Sequence, residues 1–188
     1  KPFESVATIV SNGATQPLTQ ADTLVQTANH TGAVVGFNTS KGEKVHVKVA
    51  SSFISVEQAE INLRELGDDS FDTLVAKGRD RWNSMLGRIV VEGDNVDNKR
   101  TFYSCLYRSL LFPRKFYEIS ADGEILHYSP YNGEVLPGYM DTDTGFWDTF
   151  RSLFPLLNMV YPSVNAEIQE GLVNAYKESG FYPEWASP

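Results

Sequence analysis

Val45-His46-Val47-Lys48-Val49, followed shortly by Ser55-Val56-Glu57-Gln58, is where the sequence changes its period. Valine at every second position puts three apolar side chains on one face of an extended chain and His46 and Lys48 on the other, which predicts a half-buried strand. Ser55 can accept from the amides that open a helix while Gln58 reaches back to the Ser55 amide, a capping box; Ile61 and Leu63 then begin apolar content that Gly67 stops. Upstream of this switch, Ala33-Val34-Val35-Gly36-Phe37 is a second strand candidate, and the polar turn Asn38-Thr39-Ser40-Lys41-Gly42 would join it to the valine strand as a hairpin. Residues 1–54 are therefore expected to be mainly β.

Downstream the pattern is helical. Asp69-Ser70 announces a second helix, in which Phe71, Leu74, Val75, Trp82, Met85 and Leu86 recur largely at spacings of three and four. Asp97 is expected to cap a third, with Phe102, Leu106, Leu110 and Leu111 as its apolar stripe and Pro113 as its end. Phe116–Ser120 and Glu124–Tyr128 flank Ala121-Asp122-Gly123, and Asp-Gly supplies the positive backbone angle of a tight hairpin turn. Helices resume near Gly145, with Trp147, Phe150, Leu153, Phe154 and Leu157 as one apolar patch and Val164, Ile168, Leu172 and Ala175 as the next. Paired helices joined by long aromatic loops favour a helical barrel over a plain bundle, whose connections are shorter.

The chain has 188 residues and is 41% hydrophobic, enough for one domain or for parts of two. A formal charge of −8 argues against phosphate backbones and anionic lipid as partners. No apolar run approaches the roughly 18 residues of a membrane span, and no secretory signal is visible. Cys105, the single cysteine, has no partner for an internal disulfide; in its helical pattern it is expected to be a buried structural thiol. The chain opens on Lys1 and closes on Pro188 just after Phe181-Tyr182-Pro183-Glu184-Trp185, and both ends are expected to be cuts in a longer sequence.

The densest concentration of chemistry is Tyr139-Met140-Asp141-Thr142-Asp143-Thr144-Gly145-Phe146-Trp147-Asp148-Thr149-Phe150-Arg151. It sets a planar aromatic, a carboxylate and a guanidinium at a loop-to-helix junction. A sugar needs that set, because its C–H face stacks on a ring while paired hydroxyls bond to charged groups. Asp148 and Arg151 are nearly one helical turn apart and can share a face; Asp148 is then either a ligand contact or a first-turn carboxylate favoured by the helix dipole, with Arg151 as its partner. Asp141 and Asp143, one residue apart, resemble oxygen ligands for a hard cation; they contact a metal or the sugar, or else belong to a solvated loop. His127 beside Tyr128 either reaches the same loop or is a structural, hydrogen-bonded histidine. His30, His46 and His127 are scattered and give no zinc argument. Glu184, between Pro183 and Trp185, invites a catalytic reading, but a loop carboxylate beside a tryptophan is equally a surface or inter-loop contact.

Phe146-Trp147-Asp148-Thr149-Phe150-Arg151-Ser152-Leu153-Phe154-Pro155-Leu156-Leu157, together with Gly180-Phe181-Tyr182-Pro183-Glu184-Trp185, Arg81-Trp82-Asn83 and Ser104-Cys105-Leu106-Tyr107, resembles glycoside hydrolase family 92, the exo-acting alpha-mannosidases. The resemblance covers most of the chain and is least distinctive over residues 1–42. It implies a mixed fold: residues 1–54 as the C-terminal part of a β-sandwich domain, 55–96 as a two-helix linker, and 97–188 as the first part of an (alpha/alpha)6 barrel. It implies an inverting, calcium-dependent hydrolase acting on terminal mannose of glycans, periplasmic or extracellular. Asp148 looks like the carboxylate that holds mannose hydroxyls, Trp147 like a residue shaping its pocket, and Arg151 like the residue orienting Asp148. The acid, the base and most metal ligands are expected beyond Pro188, so the isolated segment is expected to be inactive. A non-catalytic carbohydrate-binding or structural module is the alternative.

Overall fold

A computed structural model describes residues 5–10, 14–17 and 31–186. His30 and the termini discussed above lie outside the described residues. The chain divides into two compact units, residues 1–47 and 48–188.

In the first unit β1 (Ser5–Val10), β2 (Ala14–Pro17) and β3 (Thr31–Gly36) form an antiparallel sheet in the order β2-β1-β3. The register sets Ser5 opposite Gly36 and Val10 opposite both Thr31 and Ala14. The predicted strand over 33–37 is thus present, shifted slightly, but its partner is β1. The turn after it forms, with the Glu43 amide donating to the Ser40 carbonyl at 3.0 Å. The valine alternation that should have followed carries no strand, and Val47 and Val49 are 72% and 79% exposed. Alternation says which face of a strand would be buried; the strand itself exists only through ladder bonds to a neighbour, and among the described residues none reaches this segment.

The second unit opens with α1 (Val56–Arg64). Ser55 Oγ accepts from the Gln58 amide at 3.1 Å, as a cap should. Gln58 does not return the bond. Its buried side chain donates instead to Asn62 Oδ1 and to the Ile119 carbonyl at 2.8 Å, while Asn62 donates to Glu118 Oε2 at 2.6 Å. The helix is consequently docked through a polar network, which uses Gln58 more fully than a reciprocal cap would. Helix α2 (Phe71–Leu86) is capped by Ser70, whose Oγ accepts from the Thr73 amide. Its apolar stripe is only partly covered: none of its residues is fully buried.

Helix α3 (Val96–Ser109) begins on Asn95, not Asp97. Asn95 Oδ1 accepts from the amides of Asp97 and Asn98 at 2.9 and 3.0 Å, leaving Asp97 in the first turn beside Arg100. Leu106 is buried on this helix, with Phe102, Tyr103 and Leu110 packed about it. Cys105 falls off that line of contacts and is exposed, contrary to the buried thiol expected.

Short strands follow: β4 (Arg114–Lys115), β5 (Glu118–Ile119), β6 (Ile125–Tyr128), β7 (Val135–Pro137), β8 (Asp141–Thr142) and β9 (Thr144–Gly145). The Asp122-Gly123 turn is as predicted, Gly123 taking φ +83 and joining β5 to β6, to which β7 adds on the far side. Then come α4 (Phe146–Thr149), α5 (Leu153–Val160), α6 (Pro162–Ser179) and β10 (Trp185–Ala186). The main core gathers Leu106, Phe154, Leu157, Tyr161, Ile168 and Leu172. Tyr161, fully buried, donates its hydroxyl to the Met85 carbonyl at 3.0 Å and so fastens the end of α2 to the α5–α6 junction. These elements are mixed helices and small antiparallel sheets. Among the described residues no helix is long and apolar enough to cross a membrane.

Candidate functional site

The aromatic and acidic stretch 139–151 is built from two abutting two-stranded sheets and a short helix. β8 pairs with β4, Arg114 opposite Thr142 and Lys115 opposite Asp141; β9 pairs with β10, Trp185 opposite Gly145 and Ala186 opposite Thr144. Between β8 and β9 stands Asp143 with φ 61. The Phe146 amide donates to the Glu184 carbonyl at 3.1 Å, so α4 starts directly from this ladder.

Gly145 precedes α4 and offers no side-chain cap. A Cβ there would lie 2.3 Å from Trp185 Cζ3 and 3.0 Å from Asp148 Oδ2, so the glycine is what lets the indole and the carboxylate converge. Trp185 is 59% exposed. Asp148 is also exposed, and among the described residues its carboxylate has no hydrogen-bond or ion-pair partner. An unpaired carboxylate beside an open aromatic face can accept from two vicinal hydroxyls while the ring takes the apolar face of the same sugar.

Arg151 is not at Asp148. Helix α4 ends at Thr149, so the one-turn relation inferred from spacing has no helix to carry it. The guanidinium instead lies over the rings of Phe150 and Trp147, 4.8 and 5.4 Å from their centroids. Trp147, 62% exposed, lines a groove of about 580 Å³ with Phe146, Phe150, Leu172, Tyr182 and Glu184. Asp148 does not line this groove, so the structure separates Trp147 from Asp148 and brings Trp185 to the carboxylate in its place.

Asp141 and Asp143 diverge. Asp143 Oδ2 accepts from Arg114 Nε at 2.6 Å and from Thr142 Oγ1 at 3.0 Å, and the guanidinium beside it holds its carboxyl below the usual range against the opposing effect of burial. Asp141 is 7% exposed, with Oδ2 unpartnered against Gly171 of α6. Burial pushes its carboxyl up to about 6; nearby Lys115 lowers it and Glu167 raises it further. Lys115 is itself bonded to Glu167 Oε2 at 2.8 Å and to the Tyr117 hydroxyl. Among the described residues no group of three or more His, Cys, Asp or Glu side chains is gathered as a metal requires. With Asp143 taken by Arg114 and Asp141 enclosed, these residues do not fit a calcium site.

His127 is 0% exposed. Its Nδ1 lies 2.8 Å from the Gly138 carbonyl, which can only accept, so Nδ1 carries a proton; Nε2 lies 3.0 Å from Glu178 Oε1. The ring joins the β6–β7 hairpin to α6 and is removed from any loop surface. Glu184 is exposed beside the groove, and its backbone carbonyl serves α4. Sequence reasoning passed over Trp185, Gly145 and Arg114 as site residues. The one signal for them was a glycine placed immediately before an aromatic helix, where an ordinary capping side chain was to be expected.

An open indole meets a carboxylate that has no partner among the described residues, the pairing of ring face and oxygen acceptor that suits a carbohydrate-active protein. The chain belongs to glycosyl hydrolase family 92: the model of that family's catalytic domain matches residues 58–188. Among solved structures it is similar to the family GH92 inverting mannosidase BT2199 from Bacteroides thetaiotaomicron VPI-5482, at 46% identity and a TM-score of 0.87. That alignment covers 100% of this chain and 25% of the other. The family GH92 alpha-mannosidase BT3965 from the same species, solved in complex with mannoimidazole, is 24% identical with a TM-score of 0.77 over 100% of this chain and 25% of its own, a likeness of fold. No curated protein gives a match. The chain spans about a quarter of the length of these structures.

Proposed function

We propose that this segment forms one wall of the sugar site of an inverting alpha-mannosidase that removes terminal mannose from glycans. Asp148 accepts hydrogen bonds from two hydroxyls of the terminal mannose, and Trp185 covers an apolar face of the same residue. Arg151 braces Trp147 and Phe150 through its stacked guanidinium, a change from the Asp148-orienting role that the family resemblance implied. The observation that carries the reading is the convergence of Trp185 and the unpartnered Asp148 carboxylate over Gly145. Similarity at 46% identity to a protein described as an inverting mannosidase supports the substrate and stereochemistry.

Within that enzyme we assign residues 1–54 to a β-sandwich domain, 55–96 to a helical linker and 97–188 to the opening helices of an (alpha/alpha)6 barrel. The onset of helix at Val56 supports the first boundary. The acid, the base and the ligands for calcium come from outside this chain. A periplasmic or extracellular setting suits a glycan substrate.

The test is kinetic, on the full-length enzyme. Charge-assisted bonds to sugar hydroxyls are worth about 1.5–3 kcal/mol each, so Asp148→Ala should lower kcat/KM at least about tenfold while leaving thermal unfolding unchanged. Asp148→Asn keeps the shape and loses the charge, and should also be impaired. Wild-type turnover with a lowered melting temperature in either variant would identify Asp148 as structural and sink its proposed contact with mannose.

A further inference from the structure

We propose that Asp143 and Arg114 form a positioning pair that sets the placement of Asp148 and Trp185, an inference that rests on reading those two residues as the sugar contact. β8 and β9 are separated by Asp143 alone, yet β8 bonds to β4 and β9 to β10. The chain passes from one sheet to the other within this residue, and its left-handed backbone, φ 61, makes the turn. Such a conformation is uncommon for a residue with a side chain and is tolerated best by Asn and Asp.

Each end of Asp143 is tied to a different sheet. Its amide donates to the Ala186 carbonyl at 2.6 Å, extending the β9–β10 ladder by one rung. Its carboxylate accepts from Arg114 Nε at 2.6 Å, and Arg114 stands in β4 directly opposite Thr142, which donates to the same oxygen. Two residues further along is Gly145, beneath the Trp185 ring, and α4 with Asp148 follows at once. A rotation at Asp143 therefore carries β9 and the start of α4 away from β10, opening the gap between the carboxylate and the indole.

Arg114 is 66% exposed on its side chain, so the pair adds little to global stability. Alignment responds differently, because a displacement of about 1 Å at a reacting centre can cost about a hundredfold in rate. The expected signature is a large loss of turnover with little loss of stability.

The experiment uses the full-length enzyme with Asp143→Ala, Asp143→Gly, Arg114→Gln and the Asp143→Asn/Arg114→Gln double variant, alongside Asp148→Ala. Asp143→Ala and Arg114→Gln should each lower kcat/KM on a mannoside about tenfold or more, mostly in kcat, with melting temperatures within about 2 °C of wild type. Asp143→Gly takes the left-handed backbone freely but lacks the carboxylate, and should show the same loss; the double variant should be no worse than Arg114→Gln alone. Full activity in Asp143→Gly, or losses that follow the melting temperature, would overturn the pair. Wild-type kcat/KM in Asp143→Ala beside a crippled Asp148→Ala overturns the pair alone, whereas wild-type kcat/KM in Asp148→Ala overturns the sugar reading and the pair with it.

Discussion

Asp141 and Asp143 differ by two positions and by almost everything else. Spacing left a shared cation, a sugar contact or a solvated loop open; the fold gives Asp143 an arginine and leaves Asp141 enclosed, with one oxygen unpartnered among the described residues. Holding the Asp141 carboxyl near 6 in place of 3.8 disfavours its charged form by about 3 kcal/mol. The folded protein then binds more protons than the unfolded chain between those two values, so this stabilising contribution is complete below about 3.8 and is lost as pH rises through 6. Asp141→Asn removes the titration and keeps the shape. It should flatten the decline of melting temperature across that window and leave the variant more stable than wild type near neutrality. Parallel melting curves of variant and wild type from pH 4 to 7, measured by calorimetry, would refute the assignment.

At the scale of elements, α6 bears on β8 through Gly171. Intrinsic helix propensity favours alanine over glycine by about 1 kcal/mol. Here a Cβ would stand 2.9 Å from Asp141 Oδ2, 3.1 Å from the Asp141 amide nitrogen and 3.4 Å from Met140 Cα. Two of these neighbours are backbone and cannot swing aside, so overpacking at about 1–3 kcal/mol outweighs the propensity gain. Gly171→Ala is expected to lower the unfolding free energy, in chemical denaturation, by about 1–2 kcal/mol; a stabilised variant would show that helix and strand can separate freely. What was legible beforehand follows the same division between local and distant causes. Ser55, Ser70 and Asp122-Gly123 were readable because caps and tight turns are decided within a few residues. The valine strand, the buried Cys105 and the Asp148–Arg151 pairing were not, because each depends on which distant partner arrives or on where a helix stops. Trp185 escaped for that reason too: its partner Gly145 is remote in sequence and adjacent only through the β9–β10 ladder.

For the molecule as a whole, the chemistry of inversion sets the expectation. An inverting glycosidase places a protonated acid at the leaving oxygen and a base carboxylate across the ring, with room for a water between them. The chain spans a quarter of the length of the mannosidase structures it resembles. Of the described carboxylates around the site, Asp143 is committed to Arg114 and Asp141 is enclosed, while Asp148 is proposed to hold hydroxyls; among them Glu184 remains exposed at the groove without an assigned task. One such group cannot serve as acid and base together. The 188-residue segment by itself should therefore show no hydrolysis of aryl or disaccharide mannosides, with or without added calcium, and no heat of calcium binding in titration calorimetry. Robust turnover by the purified segment, abolished by Glu184→Gln with folding retained, would make Glu184 the acid and require its partner carboxylate to lie within these residues.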